Sequence, residues 1–187
     1  MWLRSPSSVN ASAEERGTHT LLQFELMVQL HAVRLDIPAN SNVVVGTSHF
    51  IKTVEDIYEA LVNTVPQMKF GIAFSEASGA CLIRTDGNDP ELVAAATAMA
   101  NGVGAGHSFY VVMRDGYPIN VLGRIKDVPE VCTIHCATAN AVEVIVAQTE
   151  QGRGIMGVVD GASPKGVEDE SGREWRHSFL RKIGYKR

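Results

Sequence analysis

Val43-Val44-Val45-Gly46-Thr47-Ser48-His49-Phe50-Ile51-Lys52-Thr53-Val54-Glu55-Asp56-Ile57-Tyr58 is the stretch on which the fold turns. Three consecutive valines are apolar on both faces of an extended chain, which predicts a buried strand ending at Gly46. Thr53-Val54-Glu55-Asp56 carries a capping-box-like signature with acids in the first turn of a helix. Val54, Ile57, Tyr58, Leu61 and Val62 then recur at helical spacing until Pro66 stops the run. The passage from strand end to helix start is where such folds present ligand-binding groups, and His49 lies in it.

Outward from this unit, short β-branched runs alternate with amphipathic segments. Toward the N-terminus, a strand pattern starts only at Met27, with Val28, Leu30 and Ala32 alternating before Pro38. Residues 1–26 show no periodicity and no secretory apolar core, and Glu14 and Glu15 argue against a transit peptide. They are expected to be a disordered extension or the product of a start codon upstream of Met27, with one domain at 27–187.

Toward the C-terminus, Phe70–Phe74 and Cys81–Arg84 read as a hairpin about Ser78-Gly79. Asp89-Pro90-Glu91 supplies an N-cap, an N1 proline and an early acid to an alanine-rich helix that should end before Gly102. His107–Met113 is a predicted strand, Pro118–Ile125 a short helix, and Val131–Ile134 another strand. Val142–Ala147 is almost wholly apolar and should be central in its sheet, and Ile155–Val159 follows a glycine-rich turn. A last helix over Arg173–Ile183 places Trp175, Phe179, Leu180 and Ile183 on one face, with Gly184 as its stop. The expected class is α/β or α+β, a mixed sheet with flanking helices in a single compact domain.

The 187 residues are 45% apolar, which excludes a disordered or collagenous chain. Seventeen basic against 21 acidic residues give a net charge of −4, so no global field draws in nucleic acid. The basic C-terminal helix reads as a solvated face, and nucleic acid is not an expected partner. Cys81, Cys132 and Cys136 lack zinc-site spacing and read as reduced residues of a cytoplasmic protein. No apolar run reaches the ~18–20 residues of a membrane span, so no membrane partner is expected.

Gly152-Arg153-Gly154-Ile155-Met156-Gly157 matches a dinucleotide-type glycine pattern, but it leads into a strand, and His177 stands about 20 residues on where an acid is needed. Nor do the lysine strand and catalytic loops of protein kinases follow it. What remains is a wider glycine-rich stretch to Gly166 in which Arg153 and Lys165 could cradle a phosphate; tight strand turns explain it equally well. Of six histidines, His19, His31, His135 and His177 read as solvated, edge or packing residues, and no metal-ligand spacing occurs. His49 is set apart by its position at a helix start, where an anion is favoured by roughly 0.3–1 kcal/mol. His107 follows Gly102-Val103-Gly104-Ala105-Gly106, where missing side chains permit close backbone approach.

Seven segments then occur in one order: VVVGTSHFIKTVEDIYEALV (43–62), FGIAFSEASG (70–79), DGNDPELV (86–93), GAGHSFYVV (104–112), PINVLGRIK (118–126), CTIHCATANAVEVIVAQT (132–149) and QGRGIMGVVDGASPKGVE (151–168). Together they resemble the adenosine-specific kinases, a family of small archaeal and bacterial proteins, over essentially Met27 to Arg187. The resemblance implies an α/β domain that binds adenosine or AMP, forms a homotrimer and carries a stably phosphorylated histidine. By motif match that histidine is His49, with His107 as the alternative. Two departures stand out: Gly79–Leu82 lacks the family's basic residue, and Thr85 replaces a tryptophan, so no base-stacking role carries over to that position.

Histidine attacks phosphorus as neutral imidazole, and donors around the phosphate would lengthen the life of the product. The candidate donors are the Thr53 and Val54 amides, Thr47, Ser48, Lys52, Arg153 and Lys165. Asp86, Asn88, Asn120 and Asn140 are candidates for base and ribose, although each equally fits a turn or cap. ATP or another phosphoryl donor is implied, while a divalent metal is left open. A phosphotransferase is the leading reading, and a non-catalytic adenosine- or AMP-sensing protein is the alternative.

Overall fold

Val43, Val44 and Val45 are all fully buried because the sheet containing them is covered on both faces. A computed structural model describes residues 27–187, so the expectations for 1–26 lie outside the described residues. Its elements are β1 (Gln29–Arg34), β2 (Asn42–Ser48), α1 (Thr53–Thr64), β3 (Lys69–Ser75), β4 (Ile83–Gly87) and α2 (Pro90–Val103). There follow β5 (Ser108–Arg114), α3 (Pro118–Lys126), β6 (Val131–Thr138), β7 (Val142–Gln148), β8 (Arg153–Asp160) and α4 (Glu170–Lys182).

Five strands form one sheet in the order β4-β3-β5-β2-β6, and three form another in the order β1-β7-β8. Every strand pairing is antiparallel, so the architecture is α+β, and two antiparallel sheets replace the expected mixed one. The reason lies in the β2–α1–β3 crossover. It sets β2 and β3 in the same direction but leaves a gap, which β5 fills antiparallel to both.

Side-chain alternation sorts the five-stranded sheet into two cores. On one face Val44, Phe70, Ile72, Phe109 and Val111 pack against Ile57 and Leu61 of α1 and Val121 and Ile125 of α3. On the other, Val43, Val45, Tyr110 and Val112 meet Leu92, Ala96 and Met99 of α2 and Val142, Val144 and Val146 of β7. β7 is the central strand of its sheet, as its apolar run predicts.

Helix ends differ from expectation in instructive ways. Lys52, not Thr53, is the N-cap of α1, and no side chain caps it. α2 runs through Gly102 to Val103 and ends where Gly104, at φ 63°, donates its amide to the Ala100 carbonyl. In α4 no residue is buried: the predicted apolar face exists, but Trp175 is 66% exposed, its ring stacked on Phe179. Among the described residues no helix is long and apolar enough to cross a membrane.

Candidate functional site

Antiparallel pairing gathers the last residues of β2 and β3 and the first of β4, β5 and β6 at one end of the five-stranded sheet, with Ser48 opposite Val131 and Ser75 opposite Ile83. His49 and His107 both sit at this end. The exposed His49 leaves β2 with its amide bonded to the Glu130 carbonyl at 3.1 Å. His107 is half-buried and adopts φ 62°. It donates its amide to Ser75 at 2.7 Å and accepts the Ser48 amide at 2.9 Å, and its ring lies nearly parallel to Phe74. The backbone of His107 therefore stitches β2 to β3, while His49 is the histidine open to solvent.

The expected phosphate donors divide into two groups. Ser48 and Thr53 are buried, and their hydroxyls lie 2.5 Å apart, with Thr53 also donating to the Phe50 carbonyl. The Thr53 amide is given to Phe50 as well, so these groups lock the β2–α1 passage instead of facing outward. Thr47 is half-buried between Ser108 and Thr133. Lys52 is open, 42% exposed, and its ammonium pairs with the Asp56 carboxylate and lies 3.1 Å from Glu130. Those two carboxylates, Asp56 foremost, hold the Lys52 ammonium above its ordinary range.

Arg153 and Lys165 do not converge. Gly154 and Gly157 lie inside β8, which places Arg153 at one end of the strand and exposed Lys165 past the other, more than roughly 20 Å along the strand. Arg153 is occupied by Gln148 and by the Gly102 and Val103 carbonyls at the end of α2. The expected phosphate cradle is thus a hairpin whose arginine clasps the end of α2.

The four candidates for base and ribose are also dispersed. Asn88 bonds the Phe70 amide and the Met68 carbonyl, Asn120 accepts the Tyr117 amide, and Asn140 donates to Asp160. Each closes a turn at the end of the sheet opposite the histidines, whereas Asp86 is the penultimate residue of β4, facing Ile72 at the middle of β3. Within one chain they do not join His49 in a single site.

The histidine end does hold a cleft of about 760 Å³, lined by Ser75, Glu76, Asn101, Gly106, Thr149 and Arg153 among others. The Ser75 hydroxyl is buried there without a hydrogen-bond partner. Glu76 accepts the Leu82 amide at 2.8 Å and two Arg84 donors at 2.9 and 2.7 Å, which holds its carboxyl below the usual range. A depressed carboxyl stabilises the fold above its unfolded pKa, and that contribution disappears as pH falls through the folded value. Glu76→Gln is therefore expected to lower the melting temperature at about pH 7, by an amount that shrinks as the pH is lowered into the acid range. Melts over a series of pH values from about 7 downward check this, and a loss that stays constant as the pH falls would mean that the charge is not the cause.

Among the described residues no group of three or more His, Cys, Asp or Glu side chains is arranged to hold a metal ion. His135 is half-buried, and burial pushes its pKa down, in keeping with a packing role.

The family model described as adenosine specific kinase matches residues 33–186. The chain belongs to the adenosine-specific kinase family. The PH1918 protein from Pyrococcus horikoshii OT3, known from a crystal structure, is similar at 43% identity with a TM-score of 0.83, over 86% of this chain and 99% of that one. No curated protein matches. The seven-segment resemblance is borne out, and an adenosine-related kinase function in general is what membership of this family supports. Glu76, Arg84, Ser75 and Glu130 stand at the histidine end of this family member but carry no sequence signal; only their neighbours in the fold draw attention to them.

Proposed function

We propose that the protein is an adenosine phosphotransferase in which His49 carries the phosphoryl group. The observation supporting this most is the exposed His49 imidazole, fixed through its backbone where β2 passes into α1, with the Lys52 ammonium three residues on. In the first step neutral imidazole attacks the terminal phosphorus of ATP. The N–P bond forms as the bridging P–O bond breaks, and ADP leaves with the electron pair. In the second, a ribose hydroxyl of adenosine attacks the same phosphorus, the N–P bond breaks, the ring recovers its electron pair, and the hydroxyl proton passes to solvent.

Positioning and charge carry most of such a reaction, so a fixed cation matters more than further covalent groups. The nucleoside is assigned to the cleft at the same sheet end, whose volume falls within the ~300–1,000 Å³ range of small-ligand sites. Assembly as a homotrimer belongs to the same reading, supported by the family resemblance and by the exposed Trp175, Phe179 and Ile183 of the C-terminal helix and its end. Incubation with ATP and adenosine, followed by chromatography, is expected to yield AMP and ADP in equal amounts. Tight AMP binding by calorimetry with no AMP formed would replace this reading with that of a nucleotide-binding module.

A further inference from the structure

Glu130 is out of place on ordinary stability grounds. It lies between α3 and β6 with a side chain only 1% exposed; the Lys52 ammonium is 3.1 Å from Oε2, and Oε1 is buried with no hydrogen-bond partner among the described residues. A carboxylate removed from water with one oxygen unsatisfied is costly, and an apolar side chain would serve packing better. The ammonium it pairs with, that of Lys52, is also held by Asp56. Both carboxylates thus reach a single point at the head of α1, beside the segment that carries His49.

The charges at that point sum to −1, one ammonium against two carboxylates. That is the wrong sign for a site meeting a polyanionic phosphoryl donor. A divalent cation in the ammonium's place reverses it: two carboxylates and a 2+ ion are neutral, and the displaced Lys52, on an exposed flexible stem, adds a free positive charge. Magnesium suits such a place, since it is commonly held by one or two carboxylates and completes its shell with water and phosphate oxygens.

We propose that Asp56 and Glu130 form a divalent-cation site, with Mg²⁺ as its chemical class, in which the Lys52 ammonium is the resident occupant that the metal displaces. The proposal deepens the phosphotransfer reading and rests on it for the metal's purpose, but the site can be tested without any nucleotide.

Manganese chloride is titrated alone into the full-length protein, and bound Mn²⁺ is read by electron paramagnetic resonance. Wild type is expected to bind one Mn²⁺, and Asp56→Asn and Glu130→Gln each to weaken it by about tenfold or more. Lys52→Met removes the competitor and is expected to tighten binding, a change that general destabilisation would not produce. Asp56 is partly exposed, so its variant keeps the test valid should Glu130→Gln fold poorly. Absence of Mn²⁺ binding in both wild type and Lys52→Met, or binding indifferent to Asp56→Asn, would overturn the site. A protein that binds Mn²⁺ in this pattern but forms no AMP would keep the site and lose the transfer reading.

Discussion

Gly71→Ala is expected to destabilise the protein by about 3 kcal/mol or more, the upper end for overpacking a core. A β-carbon built on Gly71 would stand 2.1 Å from the Val93 nitrogen and 2.2 Å from the Leu92 carbonyl carbon. Both obstacles are backbone atoms of the first turn of α2, so no rotamer change clears them. Relief requires moving the helix off β3, and with it the fully buried Leu92 and Ala96. Gly157→Ala in β8 is the matched control, because nothing lies within 4 Å of the position where its β-carbon would stand. Denaturant unfolding should show a lower midpoint at unchanged slope for Gly71→Ala and little change for Gly157→Ala. A tolerated Gly71→Ala would mean that α2 does not rest on β3 as described. The cleft would be affected too, since Ala100 and Asn101 near the end of α2 form part of its wall.

What could be read along the chain was local. The triple valine gave away a strand buried on both faces, because only such a strand needs three apolar side chains in a row. Asp89-Pro90-Glu91 marked a helix start correctly, since the Asp89 carboxylate does accept the Glu91 and Leu92 amides. Gly102 was a poor guide to the end of that helix. A glycine inside a helix costs only about 1 kcal/mol relative to alanine, and it was Gly104, able to adopt the left-handed conformation, that ended it. Strand pairing was not legible, because nothing in the β2–α1–β3 unit tells that β5 will enter between its strands.

The same limit governs the site. His49 could be singled out because its neighbours in sequence are also its neighbours in space. The use of Thr53 by Ser48 and Phe50 is not legible in sequence, because that pairing depends on how sharply the chain turns. Arg153 reads in sequence as a phosphate ligand, whereas in the fold the end of α2 supplies it with carbonyls. Glu130 carries no sequence signal because a glutamate after a proline is ordinary. Its burial against Lys52 is created by the fold alone.

His49→Ala is expected to abolish phosphate incorporation, lowering it by about 10³-fold or more, as loss of a covalent nucleophile does. Intact-mass measurement after incubation with ATP should show the added phosphate on wild type and none on the variant. The matched control is His107→Gly. His107 holds φ 62° and has both backbone groups engaged, so glycine keeps those bonds and relieves roughly 1 kcal/mol of left-handed strain. Strain relief offsets the lost stacking on Phe74, so that variant should melt close to wild type and retain its phosphate. The opposite result, phosphate kept by His49→Ala and lost by His107→Gly, would move the chemistry to the histidine stacked on Phe74. Phosphorus would then have to reach a half-buried ring whose face is already covered, whereas the imidazole of His49 is exposed to solvent at a helix start. That difference in access is the physical reason for expecting the phosphate on His49.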